Sequence, residues 1–243
     1  MRPGDLGVDQ VLSFLRRVVP PPPARILDAG CGRGDLACRL AAEGFEVTAL
    51  DNSADAVRAA REAGVAAVHG DFLDHTDGNY DVVLFARSLH HMHPLPDTVA
   101  HASGLLRPNG RLVAVEFARE RADRKTAAWF YDVRALLLEA GVLEIAEDGA
   151  SPADPLDRWR ADHFPTDSPP LHTGGAMMEE ITRRFEVIET ADVPYLYWHL
   201  SRWLEDTSRG GNVTRRLFEI EIRRIADGLL MPMGFRLAAT RRR

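Results

Sequence analysis

An α/β fold with a doubly wound, mostly parallel sheet is predicted by three features of this sequence. Short apolar runs alternate with helical stretches from residue 25 to residue 117, the βαβ order that lays strands side by side in parallel. The run Val82-Val-Leu-Phe is apolar without interruption, as a strand covered on both faces must be. A glycine turn, Gly30 to Gly34, joins the first apolar run to the first helical stretch of this series.

The elements follow in order. Residues 8–19 read as an amphipathic helix, with Val11, Leu12, Leu15, Val18 and Val19 at helical spacing, and the prolines Pro20 to Pro23 stop it. Arg25 to Ala29 is a strand, Asp35 to Glu43 a helix ended by Gly44, and Glu46 to Leu50 a second strand closed by Asp51. Asn52 or Ser53 caps a helix that runs to Ala63 and stops at Gly64. Ala66 to His69 and Asp81 to Ala86 are the third and fourth strands. A helix from about Asp97 to Leu106, a turn at Pro108-Asn-Gly110 and a fifth strand from Arg111 to Phe117 complete the regular part.

Beyond Glu120 the rhythm changes. Residues 126–140 carry Trp129, Phe130, Val133, Leu136, Leu137 and Ala140 on one helical side. Residues 149–176, with Pro152, Pro155, Pro165, Pro169 and Pro170, read as irregular, the mark of a functional loop or lid. Arg184 to Val193 is a sixth strand, Pro194 to Leu204 an aromatic helix, and Phe218, Ile222, Ile225 and Leu229 a further helical stripe. Phe235 to Ala239 is a seventh strand. The expected organisation is an N-terminal helix and proline linker (1–23), a binding core (24–118), an insertion or lid (119–176), and a C-terminal part (177–243) that completes the sheet and adds a helical cap over 194–230.

Composition narrows the function. The chain has 243 residues, 45% of them hydrophobic, and a net charge of −6. That balance gives no general attraction to phosphate backbones, so no nucleic-acid partner is expected. The two cysteines, Cys31 and Cys38, make no disulfide framework. The first twenty residues do not form a signal peptide, and no run approaches the ~20 apolar residues of a membrane span. A cytoplasmic protein with no membrane partner is expected, as a monomer or homodimer.

The glycine turn carries the chemistry. Glycine lets backbone pass close to a ligand, and the helix behind it favours polar groups of that ligand. Seventeen residues past Gly34, at the end of the next strand, Asp51 offers a carboxylate that can take both hydroxyls of a ribose. A dinucleotide fold wants G-x-G-x-x-G/A. Here the spacing is G-x-G-x-G, and Asp35 stands where a dehydrogenase has glycine or alanine. Lys125 is the only lysine, so the chain has no Tyr-x-x-x-Lys pair either.

The string Asp28-Ala-Gly-Cys-Gly-Arg-Gly34 resembles the first motif of the class I S-adenosylmethionine-dependent methyltransferases. The resemblance continues through Asp51, Gly70-Asp71-Phe72, the fourth-strand block from Tyr80 to His91 and the block from Leu105 to Phe117, covering roughly residues 24–118. His90-His91 and Glu116-Phe117 are similar to the branch of quinone- and sterol-type C-methyltransferases and their small-molecule relatives. The resemblance implies a Rossmann-like seven-stranded sheet and S-adenosylmethionine as cofactor, with S-adenosylhomocysteine as product. It assigns Asp28, Gly30, Cys31, Gly32, Asp51, Asn52, Asp71, Phe72, Ala86 and Arg87 to cofactor binding, with Asp51 on the ribose and Asp71 and Phe72 at the adenine.

Methyl transfer from a sulfonium is a direct displacement, so the protein has mainly to align the reactants and exclude water. An acceptor hydroxyl or acidic carbon needs a base, for which His91 and Glu116 are the candidates. His90 reads as a loop anchor, and His91 as either a base or such an anchor. The bland reading of Glu116 is a buried acid paired with an arginine. Cys31 reads as a packing residue without thiol chemistry. His90, His91, His93 and His101 lack metal-ligand spacing, and Ala86-Arg87-Ser88 replaces the acids a metal-dependent transfer would want, so no metal is expected. The aromatics Trp129, Phe130, Tyr131, Tyr195, Tyr197 and Trp198 read first as packing; any that line a pocket imply a partly apolar or aromatic acceptor. The expected function is transfer of a methyl group to an O, N or C atom of a small metabolite, in natural product biosynthesis or related metabolism. The alternative is the same fold put to a non-methylating task, as a cyclase or a cofactor-binding regulatory protein.

Overall fold

The structure is a computed structural model that describes residues 1–143, 152–164 and 170–242. The chain opens with helix α1 (Pro3–Val18) and continues through β1 (Arg25–Ala29), α2 (Asp35–Ala42), β2 (Glu46–Asp51), α3 (Ala54–Glu62) and β3 (Ala67–His69). Then come β4 (Tyr80–Ala86), α4 (Leu95–Leu105), β5 (Leu106–Phe117), α5 (Arg124–Glu139), α6 (Pro155–His163) and α7 (Gly174–Arg184). Strand β6 (Phe185–Val193), helices α8 (Leu196–Ser201) and α9 (Ser208–Ala226), and strand β7 (Gly234–Arg241) follow.

These elements form two compact units that do not follow chain order. The first comprises Gln10–Phe117, His172–Ala191 and Phe235–Arg243 and holds most of the sheet. Its seven strands lie in the order β3-β2-β1-β4-β5-β7-β6. The pairs β1·β2, β1·β4, β2·β3 and β4·β5 are parallel. At the far edge the Arg242 N–H donates to Arg184 O, while the Thr190 hydroxyl donates to Arg236 O. Residue numbers rise on one strand as they fall on the other, so β6 and β7 run antiparallel. The predicted α/β sheet is therefore present, with one antiparallel edge. Residues Tyr80 to Phe85 of β4 are buried without exception, as the uninterrupted apolar run requires. Reversal of strand order on the two sides of β1 and β4 opens a crevice at their C-terminal ends.

The second unit comprises Met1–Asp9, Ala118–Leu171 and Asp192–Gly234 and is mainly helical. Its core contains Phe130, Tyr131, Trp159, Tyr195 and Tyr197, all buried, so these aromatics are packing residues. Trp159 donates its indole N–H to Arg119 O and stacks on His163 with centroids 3.7 Å apart.

Several local expectations are corrected. Helix α1 begins at Pro3, not residue 8, because Asp5 accepts the Arg2 N–H at 2.5 Å and proline fits a first helical turn. Pro108-Asn-Gly110 is not a turn ahead of the fifth strand. It lies inside β5 as an irregularity, with Tyr80 opposite Leu106 but Val82 opposite Arg111, and Asn109 takes a φ of 65°. Within the stretch expected to be irregular, Asp154 caps α6 and Thr173 caps α7, so residues 155–163 and 174–176 are helical; Pro165 and Pro169 lie outside the described residues. The aromatic helix expected from Pro194 to Leu204 spans only Leu196–Ser201. Helix α5 turns Thr126, Ala127, Phe130 and Tyr131 inward and leaves Leu136 68% exposed. Helix α9 buries Gly210, Gly211, Thr214, Leu217 and Glu221, not the Phe218–Leu229 stripe, and Ile222 is 42% exposed. Close approach decides that face: a Cβ on Gly211 would lie 2.0 Å from Met1 O.

Candidate functional site

The crevice at the C-terminal ends of the parallel strands is a cleft of about 600 Å³. Short segments behind successive strands build its wall: Gly30 after β1, Leu50 to Asn52 at the end of β2, and Gly70 to Leu73 after β3. Arg87, Ser88 and His91 to His93 come from the segment after β4, and Thr98 from α4. Every one of these residues belongs to the first unit. Of the sequence-predicted residues, Gly30, Asp51, Asn52, Asp71, Phe72, Arg87 and His91 form the wall. Asp28, Cys31, Gly32, Ala86 and Glu116 are not among its wall residues.

The glycine turn is tied to β2 at the backbone. The Gly30 and Cys31 amides both donate to Leu50 O, at 2.8 and 3.0 Å. The Gly32 N–H then donates to Asp51 Oδ2 at 2.8 Å, and the Ser53 N–H donates to Asp51 Oδ1 at 2.8 Å. The Asp51 carboxylate is thereby fixed on the cleft wall with further lone pairs to offer. At Gly32 φ is +55°, and a Cβ there would meet no protein atom within 4 Å. Protein packing does not fill that side of the turn, so the cradle is open to a ligand approaching the backbone. The cleft's size and its oriented carboxylate fit a nucleoside-bearing cofactor.

Behind the turn lies Asp28, almost fully buried on β1. Burial pushes its pKa up to about 7, with Arg87 opposing the rise and Asp51 adding to it. Among the described residues its buried Oδ2 has no hydrogen-bond partner. Burial also pushes the Cys31 thiol up to about 12, reinforced by Asp28 and Asp51, so no thiolate forms at neutral pH. On the next segment Asp71 accepts the Leu73 N–H at 2.8 Å and caps a single 3₁₀ turn, Phe72–Asp74. Phe72 is fixed by edge-on contacts with Phe85 and His101, at centroid distances of 5.4 and 5.2 Å.

The segment after β4 is the least regular part of the wall. Arg87 takes a φ of 64°, uncommon for a side chain larger than asparagine, with its amide donating to Val115 O at 2.8 Å. The Ser88 hydroxyl donates to Ala29 O at 2.5 Å. Glu116, fully buried near the end of β5, has both oxygens engaged: Oε1 accepts the Ser88 and Leu89 amides at 2.9 and 2.7 Å, and Oε2 lies 2.6 Å from His90 Nδ1. This carboxylate fixes the turn that carries the wall by accepting two of its backbone amides. In place of the arginine expected for a buried acid, its partners are a histidine and two amides, because the turn after β4 brings those groups to the end of β5. His91 packs on the His90 ring, centroids 4.2 Å apart, and with His93 brings an imidazole to the cleft wall. Among the described residues no three His, Cys, Asp or Glu side chains converge as a metal centre requires, and no helix is long and apolar enough to cross a membrane.

Beyond Leu50, Gly70, Leu73 and His93, which adjoin predicted residues or motifs, sequence reasoning missed Ser88, Met92 and Thr98 as wall residues. Their residue types carry no signal by themselves: the turn geometry after β4 brings Ser88 and Met92 to the cleft, and the packing of α4 brings Thr98.

Comparison with known proteins agrees with this geometry. A family model described as a methyltransferase domain matches residues 8–165. A ubiquinone biosynthesis O-methyltransferase of Pectobacterium atrosepticum is 31% identical over 192 residues, covering 71% of this chain and 73% of the relative. Its counterpart in Xanthomonas axonopodis pv. citri is 33% identical over 181 residues, 70% of each chain. Among solved structures, an S-adenosylmethionine-dependent methyltransferase from Mesorhizobium loti superposes with a TM-score of 0.58 at 20% identity, over 94% of this chain and 96% of that one. The [4+2]-cyclase SpnF superposes with a TM-score of 0.59 at 19% identity, over 96% and 81%. Likeness at such identities speaks to the fold alone.

Proposed function

The chain belongs to the class I S-adenosylmethionine-dependent methyltransferases, and we propose that it methylates a small metabolite by direct displacement, on an O, N or C atom with oxygen favoured. The observation that carries this reading is the Asp51 carboxylate held by the Gly32 and Ser53 amides on the wall of an open cradle. Asp51 would take the ribose hydroxyls, Asp71 and Phe72 the adenine, and the turn from Gly30 to Gly32 the methionine part. The cofactor, when bound, supplies an activated methyl group on a positively charged sulfur. The protein's part is alignment: Arg87 and His91 flank the cleft, and Glu116 keeps their segment in place. His91 is the residue we assign to receive the proton of an acceptor hydroxyl. Asp28, raised to about 7 and with no partner for Oδ2 among the described residues, would be drawn to its charged form by the cationic methionine end. The O-methyltransferase names of the curated relatives support oxygen as the atom methylated and a quinone-like, partly aromatic acceptor.

Binding and chemistry can be tested separately. S-Adenosylhomocysteine at about 100 times its Kd should stabilise the protein by about 2.7 kcal/mol, read as a rise in melting temperature, and Asp51→Ala should abolish the rise. A folded wild-type protein that shows no rise at millimolar ligand refutes the cofactor reading. In a mass-spectrometric screen of phenolic metabolites the product should gain one methylene. A product isomeric with its substrate would instead assign the chain to cyclisation.

A further inference from the structure

The turn after β4 is held from one side by Glu116. Its other half is held by a residue that follows in the chain eighty positions later. The His172 N–H donates to His90 O at 2.9 Å. Its ring Nε2 lies 2.9 Å from Met92 O, and the ring packs against His93 with centroids 4.1 Å apart and planes tilted by 44°. A carbonyl only accepts, so Nε2 bears the proton and donates. His172 is itself firmly placed. The next residue, Thr173, caps α7 by accepting the Ala176 N–H, and Met177 and Ile181 bury that helix in the first unit.

We propose that His172 is a positioning residue for the cofactor cleft, fixing the His90 and Met92 carbonyls so that His91, Met92 and His93 present one arrangement to the ligand. The proposal rests on the cofactor reading above. The segment needs such a clamp because it holds itself weakly. Its single 3₁₀ turn, Leu89–His91, is closed by His91 N–H to Ser88 O and Met92 N–H to Leu89 O, a geometry that seldom persists unaided. Glu116 reaches only as far as His90. Met92 and His93, both on the cleft wall, have His172 as the side chain that ties them down.

The test uses the full chain and S-adenosylhomocysteine as probe, by calorimetric titration, with amide hydrogen exchange at His91 and Met92 as a second readout. His172→Phe keeps a ring against His93 and removes the Nε2 donor. Loss of that one hydrogen bond should weaken binding about tenfold and speed exchange at both amides, while the melting temperature stays within a few degrees. His172→Gln, whose amide nitrogen returns a donor to Met92 O, should restore binding to within about threefold of wild type. If phenylalanine is not tolerated, His172→Leu takes its place. Wild-type binding and exchange in the donor-less variant overturn the proposal, and so does a glutamine variant that recovers neither. Should the wild type itself not bind S-adenosylhomocysteine, the cofactor reading falls, and the exchange rates alone decide the role of His172.

Discussion

Gly30 and Gly32 stand two positions apart and answer to different constraints. Both have positive φ, at 77° and 55°. A Cβ on Gly30 would lie 2.5 Å from Ser88 Cβ, whereas one on Gly32 would meet nothing. Gly30→Ala should therefore cost roughly 2–4 kcal/mol of stability from overpacking and backbone strain together. Gly32→Ala should cost only about 1–2 kcal/mol of strain, yet weaken S-adenosylhomocysteine at least about tenfold by filling the cradle. Thermal denaturation with and without ligand separates the two, and equal loss of stability in both variants would contradict this account. Residues of this kind were legible, because a glycine spacing and a carboxylate at the end of the next strand are local marks of a backbone demand. Glu116 was not legible in the same way. Its partners lie 26 to 28 residues earlier, and nothing in the sequence shows that a β5 acid will be spent on the amides of the turn after β4.

Among the elements, α9 shows how burial overrides an apolar pattern. Glu221 faces inward and accepts the Tyr195, Leu196 and Tyr197 amides at 2.8 to 2.9 Å, capping α8. Burial pushes this carboxyl up to about 7, although the three amides pull it down. An acid whose folded pKa is raised binds more protons folded than unfolded between about 4.5 and 7. Its contribution is fully present at the acid end of that window and declines as pH rises through it. Glu221→Gln removes that dependence. Relative to wild type, the variant should gain stability from pH 5 to pH 8, by up to roughly 3 kcal/mol. A wild-type-minus-variant difference in melting temperature that is constant across those pH values would disprove it. Helices α6 and α7 went unread because the surrounding prolines dominate the local pattern. Their caps, Asp154 and Thr173, were the available signals. The bulge in β5 was unreadable for another reason: Pro108-Asn-Gly110 has the chemistry of a turn, and only pairing with β4 carries it through as strand.

For the whole molecule, two buried imidazoles in the helical unit contribute to the loss of stability in acid. Burial pulls His163 down to about 4 and holds His199 well below the ordinary value near 6.5. Their rings lie 5.2 Å apart, beside Phe130, with Trp159 stacked on one and Trp203 edge-on to the other. The unfolded chain takes up these protons first, so stability is complete above about pH 6.5 and is lost as pH falls towards 4. The effect opposes that of Glu221 in the overlapping range. Replacing His163 with Phe, which keeps a ring on Trp159, should flatten the fall in melting temperature between pH 7 and pH 5. An acid slope as steep as the wild type's would show that His163 is not its source.

The sequence by itself determined the parallel α/β core, the glycine turn and the acid at the end of the second strand, because each follows from contacts between near neighbours or from a strand's own burial. Tertiary structure alone decided the antiparallel edge made by β6 and β7, the inward face of α9 and the roles of Glu116 and His172. Those depend on which backbone amides and carbonyls distant segments leave unpaired once the sheet has formed, and a linear pattern holds no record of that pairing.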